Sequence, residues 1–254
     1  MRVIRSVIIA FSTYSRIPMP QVEWNDENRK YTMCFFPLIG VVIGLLLWGW
    51  LWLCDALAVG SVVMRGAIAA ALPLLVTGGI HMDGLMDTSD AMASWQTKER
   101  RLEILKDSHV GAFAVMGCGG YLLLDAAVLS EASTQTAPML VFIFVLSRAL
   151  SAWAMAAFKN ARPNGMLDAF AQAAHRRMVT ISCVVYTFLC AAGWFILGGW
   201  LCMVCVAAAA LCLLCYRHMA YKHFGGVTGD LAGWFLQITE LALTFVIVLG
   251  GKLI

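Results

Sequence analysis

Charge is what this chain has least of. Asp, Glu, Lys and Arg make up 13% of its 254 residues, where a soluble domain carries roughly 25%. Too little polar surface is left to cover a water-facing body, so a soluble globular enzyme is excluded. With 61% hydrophobic residues and a mean hydropathy of +0.80, intrinsic disorder is excluded too. A net charge of +3 is too small to argue for nucleic acid as a partner. What remains is an all-α fold, a polytopic membrane helix bundle. Neither an internal repeat nor a linker interrupts the chain, so residues 1–254 are expected to form one integral membrane domain.

Disulfide and zinc signatures are missing despite nine cysteines. The number is odd, and each lies in or beside an apolar run, where a thiol serves as small filler. Cys202-x-x-Cys205 and Cys212-x-x-Cys215 have zinc-like spacing. All four fall on one continuous apolar helix, which cannot close a tetrahedron by itself. A cleavable signal is not expected either, because the first apolar core is short and no small-residue cleavage site follows. Instead Val3, Ile4, Val7, Ile8 and Phe11, set against Arg2, Arg5 and Ser12, predict a short amphipathic helix on the membrane surface. It ends at Arg16-Ile17-Pro18-Met19-Pro20.

A spanning helix needs roughly 20 predominantly apolar residues. Seven stretches qualify, near 34–54, 60–80, 110–130, 137–158, 178–197, 199–216 and 231–250. With the N-terminus in the cytoplasm, all of the 18 basic residues except Arg65, Arg148 and Lys252 fall in cytoplasmic segments, as the positive-inside rule requires. The five histidines fall there too. The outer connections near Ala56–Gly60, Ser130–Pro138 and Gly198–Gly199 hold no basic residue. An odd number of crossings leaves the C-terminus outside, and the chemistry faces the cytoplasm.

Acids are scarce, 15 in all, yet three stand in one short segment, Thr77-Gly-Gly-Ile-His81-Met-Asp83-Gly84-Leu-Met-Asp87-Thr-Ser-Asp90. At about 100° per residue, Asp83, Asp87 and Asp90 share an arc of roughly 60° on one helical face. They repel one another unless a cation lies between them, and a hard divalent ion such as Mg²⁺ or Mn²⁺ suits carboxylates. A solvated acidic face would give the same pattern, but acids are expensive at a membrane border. Further on, Lys106-Asp107-Ser108 stands where the third span begins. Asp107 or Ser108 is expected to cap that helix, whose free N–H groups suit an anion. Gly225-Gly226-Val-Thr228-Gly229-Asp230 reads as a backbone nest or tight turn. It lacks the Gly-Lys-Ser/Thr of a Walker A loop, and Asp230 fits a helix cap, a metal ligand or an acceptor for a base edge. Arg162-Pro163-Asn164-Gly165-Met166 supplies a turn with an arginine suited to phosphate. Asp125, Arg148 and Glu240 lie inside spans, where ionisable groups default to function. For Arg148 two roles compete: a packing pair with a buried acid, or a phosphate ligand.

These motifs resemble one family. Thr77 to Asp90, then Arg101-Leu-Glu-Ile-Leu-Lys-Asp-Ser-His-Val-Gly111, are similar to the adenosylcobinamide-GDP ribazoletransferases, also called cobalamin-5'-phosphate synthases. Phe11-Ser-Thr-Tyr-Ser-Arg-Ile-Pro-Met-Pro20, Phe36-Pro-Leu-Ile-Gly40, Ser147-Arg148, and Gly225 to Asp230 with Glu240 carry the likeness along essentially the whole chain. Met86, Ser89 and Met92 depart from residues common there, and none removes a carboxylate. The resemblance implies a transferase of the bacterial cytoplasmic (inner) membrane, late in cobalamin biosynthesis. It would join α-ribazole, or its 5'-phosphate, to adenosylcobinamide-GDP with release of GMP, using Mg²⁺. On that resemblance Asp83, Asp87, Asp90 and Asp230 are the expected metal ligands, with Asp83 or Asp87 as base for the ribazole 3'-hydroxyl. His81, Lys106, Asp107, Ser108, Arg148, Arg162, Gly226, Thr228 and Gly229 are the expected substrate contacts. The partners are the two small-molecule substrates and the lipid bilayer, with a homo-oligomer left open. A CDP-alcohol phosphatidyltransferase would need Ala-Arg after Asp83-Gly84, which is absent. A cation-coupled transporter, the alternative from another class, would want acids near mid-membrane and paired interrupted spans, whereas most acids here cluster at one border.

Reporter fusions test the orientation. A fusion after Lys159 is expected to report cytoplasm, and fusions after Ser130 and at Ile254 the outer side. A C-terminal reporter active only in the cytoplasm would require an even number of crossings.

Overall fold

A chain in lipid must satisfy its own backbone hydrogen bonds, so long apolar runs become helices. The computed structural model describes residues 2–58, 60–162, 170 and 172–253. Eleven α-helices are described: α1 (Arg2–Tyr14), α2 (Asp26–Arg29), α3 (Thr32–Leu57), α4 (Val62–Thr77), α5 (Ile80–Ala93), α6 (Lys98–Ile104), α7 (Ala112–Ser130), α8 (Ala137–Ala157), α9 (Arg176–Gly198), α10 (Leu201–Phe224) and α11 (Gly229–Gly250). Six of them, α3 and α7 to α11, are long and apolar enough to cross a membrane.

The expected span at 60–80 has a different form. Helix α4 stops at Thr77 after 16 residues, and α5 departs from it at 99°. Gly78 and Gly79 cause the break, with φ of 68° and 79°. A side chain in that left-handed region costs roughly 1–2 kcal/mol per residue, and two in succession leave glycine as the residue that fits. The acid-bearing helix is thereby turned off the axis of the apolar run before it. Helix α1 forms over the expected residues, but it docks rather than floats. Ile9 and Ala10 are fully buried, and Ser6 Oγ donates to the Asn28 carbonyl at 2.6 Å.

Helix α8 is the hub, with 78% of its apolar window buried, against 22% for α9 and 28% for α10. Its closest partner is α3, and Gly40 and Gly44 explain why. A Cβ on Gly40 would lie 2.2 Å from the Phe144 carbonyl oxygen, and one on Gly44 would lie 2.6 Å from Val141 Cα. Small residues one turn apart let two helices meet backbone to backbone, where lipid offers no hydrophobic drive to bring them together. Phe188, Ile196, Met203 and Leu211 project outward from α9 and α10, as lipid-facing helices require.

At the end where α3 finishes and α4 begins, the ionic groups are matched. Arg65 pairs with Asp55 and donates to the Ala132 carbonyl at 2.7 Å, while Lys252 meets Glu131 at 2.8 Å. Two of the three basic residues expected outside the cytoplasmic segments are thus neutralised locally. The third, Arg148, lies in the middle of the bundle. Its Nη1 donates to Glu240 Oε1 at 2.6 Å and to the Phe144 carbonyl at 3.0 Å. Ser147 Oγ donates to the same carboxylate at 2.8 Å, and both ionic side chains are buried. The geometry is that of a packing pair joining α8 to α11.

Breaking one half of such a pair strands a buried charge. Arg148→Ala is expected to lower unfolding stability in detergent by roughly 3–5 kcal/mol, and Arg148→Met with Glu240→Leu to recover most of it. Equal loss in the single and double variants would contradict the packing role.

Candidate active site

The site is built where α5 crosses α11. A Cβ on Gly84 would stand 2.5 Å from the Asp230 carbonyl oxygen and 3.1 Å from Gly233 Cα. A Cβ on Gly233 would stand 3.0 Å from the His81 carbonyl oxygen. The two backbones touch, which the missing side chains permit. That contact carries Asp83 and Asp87, one turn apart on α5, to the first turn of α11, where Asp230 stands.

The start of α11 is fixed from two sides. Thr228 caps it, its Oγ1 accepting from Leu231 N at 3.2 Å. Gly226 lies so close to the chain leaving α8 that a Cβ would meet the Lys159 carbonyl oxygen at 2.4 Å. There Val227 N donates to Lys159 O at 2.8 Å, and Ala161 N donates to Val227 O at 2.9 Å. This short parallel bridge brings Arg162 to Asp230, Nη1 to Oδ2 at 3.0 Å. Its Nη2 also donates to the Leu102 carbonyl at 2.7 Å. The rest of that turn, Pro163 to Met166, lies outside the described residues.

The cap of α7 is a correction to the sequence expectation. Neither Asp107 nor Ser108 supplies it. Asp90 does, accepting from Gly111 N at 2.7 Å and Ala114 N at 2.8 Å. Sequence spacing could not show this, since the cap arrives from another helix. Asp107 accepts from His109 N and meets its ring Nδ1 at 2.7 Å, and these bonds hold its carboxyl below the usual range. Lys106, Asp107 and Ser108 are exposed on the loop leading into α7.

A cleft of about 270 Å³ opens beside the crossing. Asp83, Arg162, Thr228, Gly229 and Asp230 form its polar side. Tyr14, Met33, Phe36, Ala152 and Met155 form an apolar side, with His81 between the two. Burial pushes the Asp87 carboxyl up to about 7, with the Asp83, Asp230 and Asp90 carboxylates adding to it and the Arg162 guanidinium opposing. Burial also holds the His81 ring well below its ordinary pKa, helped by the positive charge of Arg148. Among the described residues, no three His, Cys, Asp or Glu side chains converge on one point, for Asp90 is turned to backbone amides and Asp230 to Arg162. The donor chemistry nevertheless fits a hard divalent cation: Asp83, Asp87 and Asp230 stand near one another, with Arg162 paired to Asp230.

Of the expected site residues, the structure brings together His81, Asp83, Asp87, Arg162, Thr228, Gly229 and Asp230. Asp90 stands further along α5, bound to the start of α7, and Lys106, Asp107 and Ser108 lie on the exposed loop before it, outside the cleft lining. Arg148 is committed to Glu240, and Gly226 to the Lys159 backbone. Tyr14, Phe36, Ser151, Met155 and Asn160 also line the cleft, and sequence reasoning assigned none of them a role. Tyr14 and Phe36 lie within motifs quoted above for family likeness; the residues on α8 sit in an apolar run that gives no such signal.

Gly84→Val is expected to separate α5 from α11. Activity should fall at least about 100-fold, as for a misplacement near 1 Å, while membrane insertion is retained. Unchanged activity would mean the crossing does not position the carboxylates.

Comparison with known proteins places the same residues in context. The family model for cobalamin-5-phosphate synthase matches residues 6–248. A protein of Lachnoclostridium phytofermentans named adenosylcobinamide-GDP ribazoletransferase is 43% identical over 254 residues, covering 100% of this chain and 97% of its own. Proteins of the same name from Desulfitobacterium hafniense and Clostridium perfringens are 32% and 29% identical, over 93% and 97% of this chain and 94% and 97% of theirs. No solved structure matches the chain.

Proposed function

Because the chain belongs to the cobalamin-5-phosphate synthase family, the adenosylcobinamide-GDP ribazoletransferases of cobalamin nucleotide-loop assembly, we propose that the cleft at the α5–α11 crossing is its active site and that transfer there depends on Mg²⁺. The observation that carries this is that Asp83, Asp230 and Arg162 line one cleft, with Asp87 near enough to feel all three charges, in a chain that has only 15 acids.

In the transfer, a hydroxyl of α-ribazole, or of its 5'-phosphate, forms a bond to the phosphorus that carries the cobinamide arm. The bond from that phosphorus to the bridging oxygen breaks, GMP leaves with that oxygen, and the hydroxyl proton is released. Asp83 lines the cleft and is more exposed than its neighbours, which suits it to take that proton. Asp83, Asp87 and Asp230 would hold the ion. Asp90 would add to them through lone pairs left free by its two amide bonds, since a carboxylate accepts about four. Bound there, Mg²⁺ would neutralise charge building on the diphosphate. Arg162, whose guanidinium forks between Asp230 and the Leu102 carbonyl, would meet a phosphate oxygen. Thr228 and Gly229, at the N-terminus of α11, supply N–H groups suited to another. Lys106, Asp107 and Ser108 would meet the donor at the rim. Arg148 takes a structural part, in place of the phosphate contact expected from sequence. The whole chain acts as one membrane catalytic domain of the bacterial inner membrane, its active face cytoplasmic by the distribution of basic residues.

Purified protein reconstituted with both substrates tests this. GMP release should vanish when divalent metal is chelated and return with Mg²⁺. Asp87→Asn should lower the rate at least about 100-fold, the scale of losing one electrostatic contact to the transition state, without loss of membrane insertion. A rate and metal dependence unchanged in Asp87→Asn would remove the carboxylate site.

A further inference from the structure

Arg162 brings positive charge to the cleft, and elements other than its own set its aim. One arm reaches Asp230 at 3.0 Å and the other the Leu102 carbonyl at 2.7 Å. That carbonyl lies in the last turn of α6, where helix carbonyls lack intrahelical partners. The amides that follow pass it over: those of Leu105, Lys106 and Asp107 donate to the Arg101, Glu103 and Ile104 carbonyls. Leu102 O is left for Arg162, so the direction of the guanidinium depends on where α6 lies.

Helix α6 cannot hold itself. Its 7 residues are too few for a helix to persist alone. Leu105, with Leu102 and Ile104 beside it, packs against Tyr216, Ala220 and Phe224 of α10. Apolar contact carries no direction, and by itself would let so short a helix turn or slide. One polar contact does carry direction. Arg101 is 7% exposed, and no carboxylate pairs with it among the described residues. Its Nη1 donates instead to His223 Nδ1, in the last turn of α10, at 2.6 Å. An arginine has no acceptor to offer, so the ring nitrogen is the acceptor. The C-terminal carbonyls of α10 favour a cation there. The same turn carries Tyr221, whose hydroxyl accepts from Lys159 N at 2.9 Å, where the segment leading to Arg162 begins. Both supports of Arg162, its own chain and the Leu102 carbonyl, rest on one helix end.

We infer that Arg101 and His223 are positioning residues for the transfer: their hydrogen bond sets α6 against the end of α10 and so holds the Leu102 carbonyl where it aims Arg162 at the cleft. Neither lines the cleft, so both act through Arg162. This rests on the ribazoletransferase reading, with Arg162 meeting the diphosphate of the donor.

Steady-state rates of the full-length, reconstituted protein test the assignment. In His223→Leu, kcat/KM for adenosylcobinamide-GDP should fall about tenfold or more, the scale of a small misplacement at a reacting centre, while the KM for α-ribazole stays within about twofold. His223→Asn, whose Oδ1 takes the place of Nδ1 as acceptor, should keep at least about half of the unmodified rate. Equal losses in the Leu and Asn variants overturn the hydrogen bond. A double-variant cycle separates positioning from support of the fold. With Arg162→Lys already in place, His223→Leu should lower kcat/KM by less than about twofold, because the fork it positions is gone. The same loss in both backgrounds, or a loss that follows the folded, inserted fraction of the protein, overturns the assignment. Arg101→Met removes the donor and leaves no buried charge behind, and it enters the same cycle if His223→Leu fails to insert. Full activity in Arg162→Lys would remove Arg162 from the transfer and overturn the inference with it. No GMP release from the unmodified protein would instead sink the transferase reading on which it rests.

Discussion

The contact on which the site depends is made by atoms that are absent: the Cβ positions of Gly84 and Gly233. Where α5 crosses α11, any side chain at either position would press on the opposite backbone. In a bilayer two apolar surfaces gain little by leaving lipid for each other, so close backbone approach has to supply the packing. Here it also gathers the carboxylates. Asp83 and Asp87 reach Asp230 because the helices touch, and α5 is free to cross because Gly78 and Gly79 have turned it 99° from α4. The same device recurs at Gly40 and Gly44 against α8, where it builds the core.

The ionic groups of this charge-poor chain fall into two sets. Away from the cleft several are matched, Asp55 with Arg65, Glu131 with Lys252 and Glu240 with Arg148, while Asp125 is buried without an ion pair among the described residues. At and beside the cleft acids outnumber bases: Arg162 pairs with Asp230, and Asp83 and Asp87 have no ion pair among the described residues. Mutual repulsion there is visible in the Asp87 carboxyl, driven up by burial and by three like charges. A group of acids kept short of counter-charge is suited to a cation and a diphosphate arriving together.

Much of this was legible in the sequence, for identifiable reasons. Apolar length marks a span because the bilayer has a fixed thickness, and the i, i+4, i+7 spacing places three aspartates on one helical face. The Gly-rich island before Asp230 marked the second half of the site. What stayed hidden was tertiary. Nothing local says that Asp90 caps a helix beginning 22 residues later, or that Arg148 meets Glu240 rather than a phosphate. Tyr14, Phe36 and Met155 became a cleft wall only when α1, α3 and α8 were assembled around α5. The 60–80 stretch had the length of a span, and its glycine pair was legible as a breaker, but the angle it imposes was not.

Whether the unmatched carboxylates hold a divalent ion is open to direct observation without turnover. Electron paramagnetic resonance of Mn²⁺ added to the purified, reconstituted protein should show a tightly held ion in the unmodified chain. That signal should be displaced by Mg²⁺ and lost when Asp83 and Asp87 are both replaced by Asn. Undiminished Mn²⁺ binding in the double variant, with the protein inserted and folded, would contradict the assignment of the α5 carboxylates as the metal site.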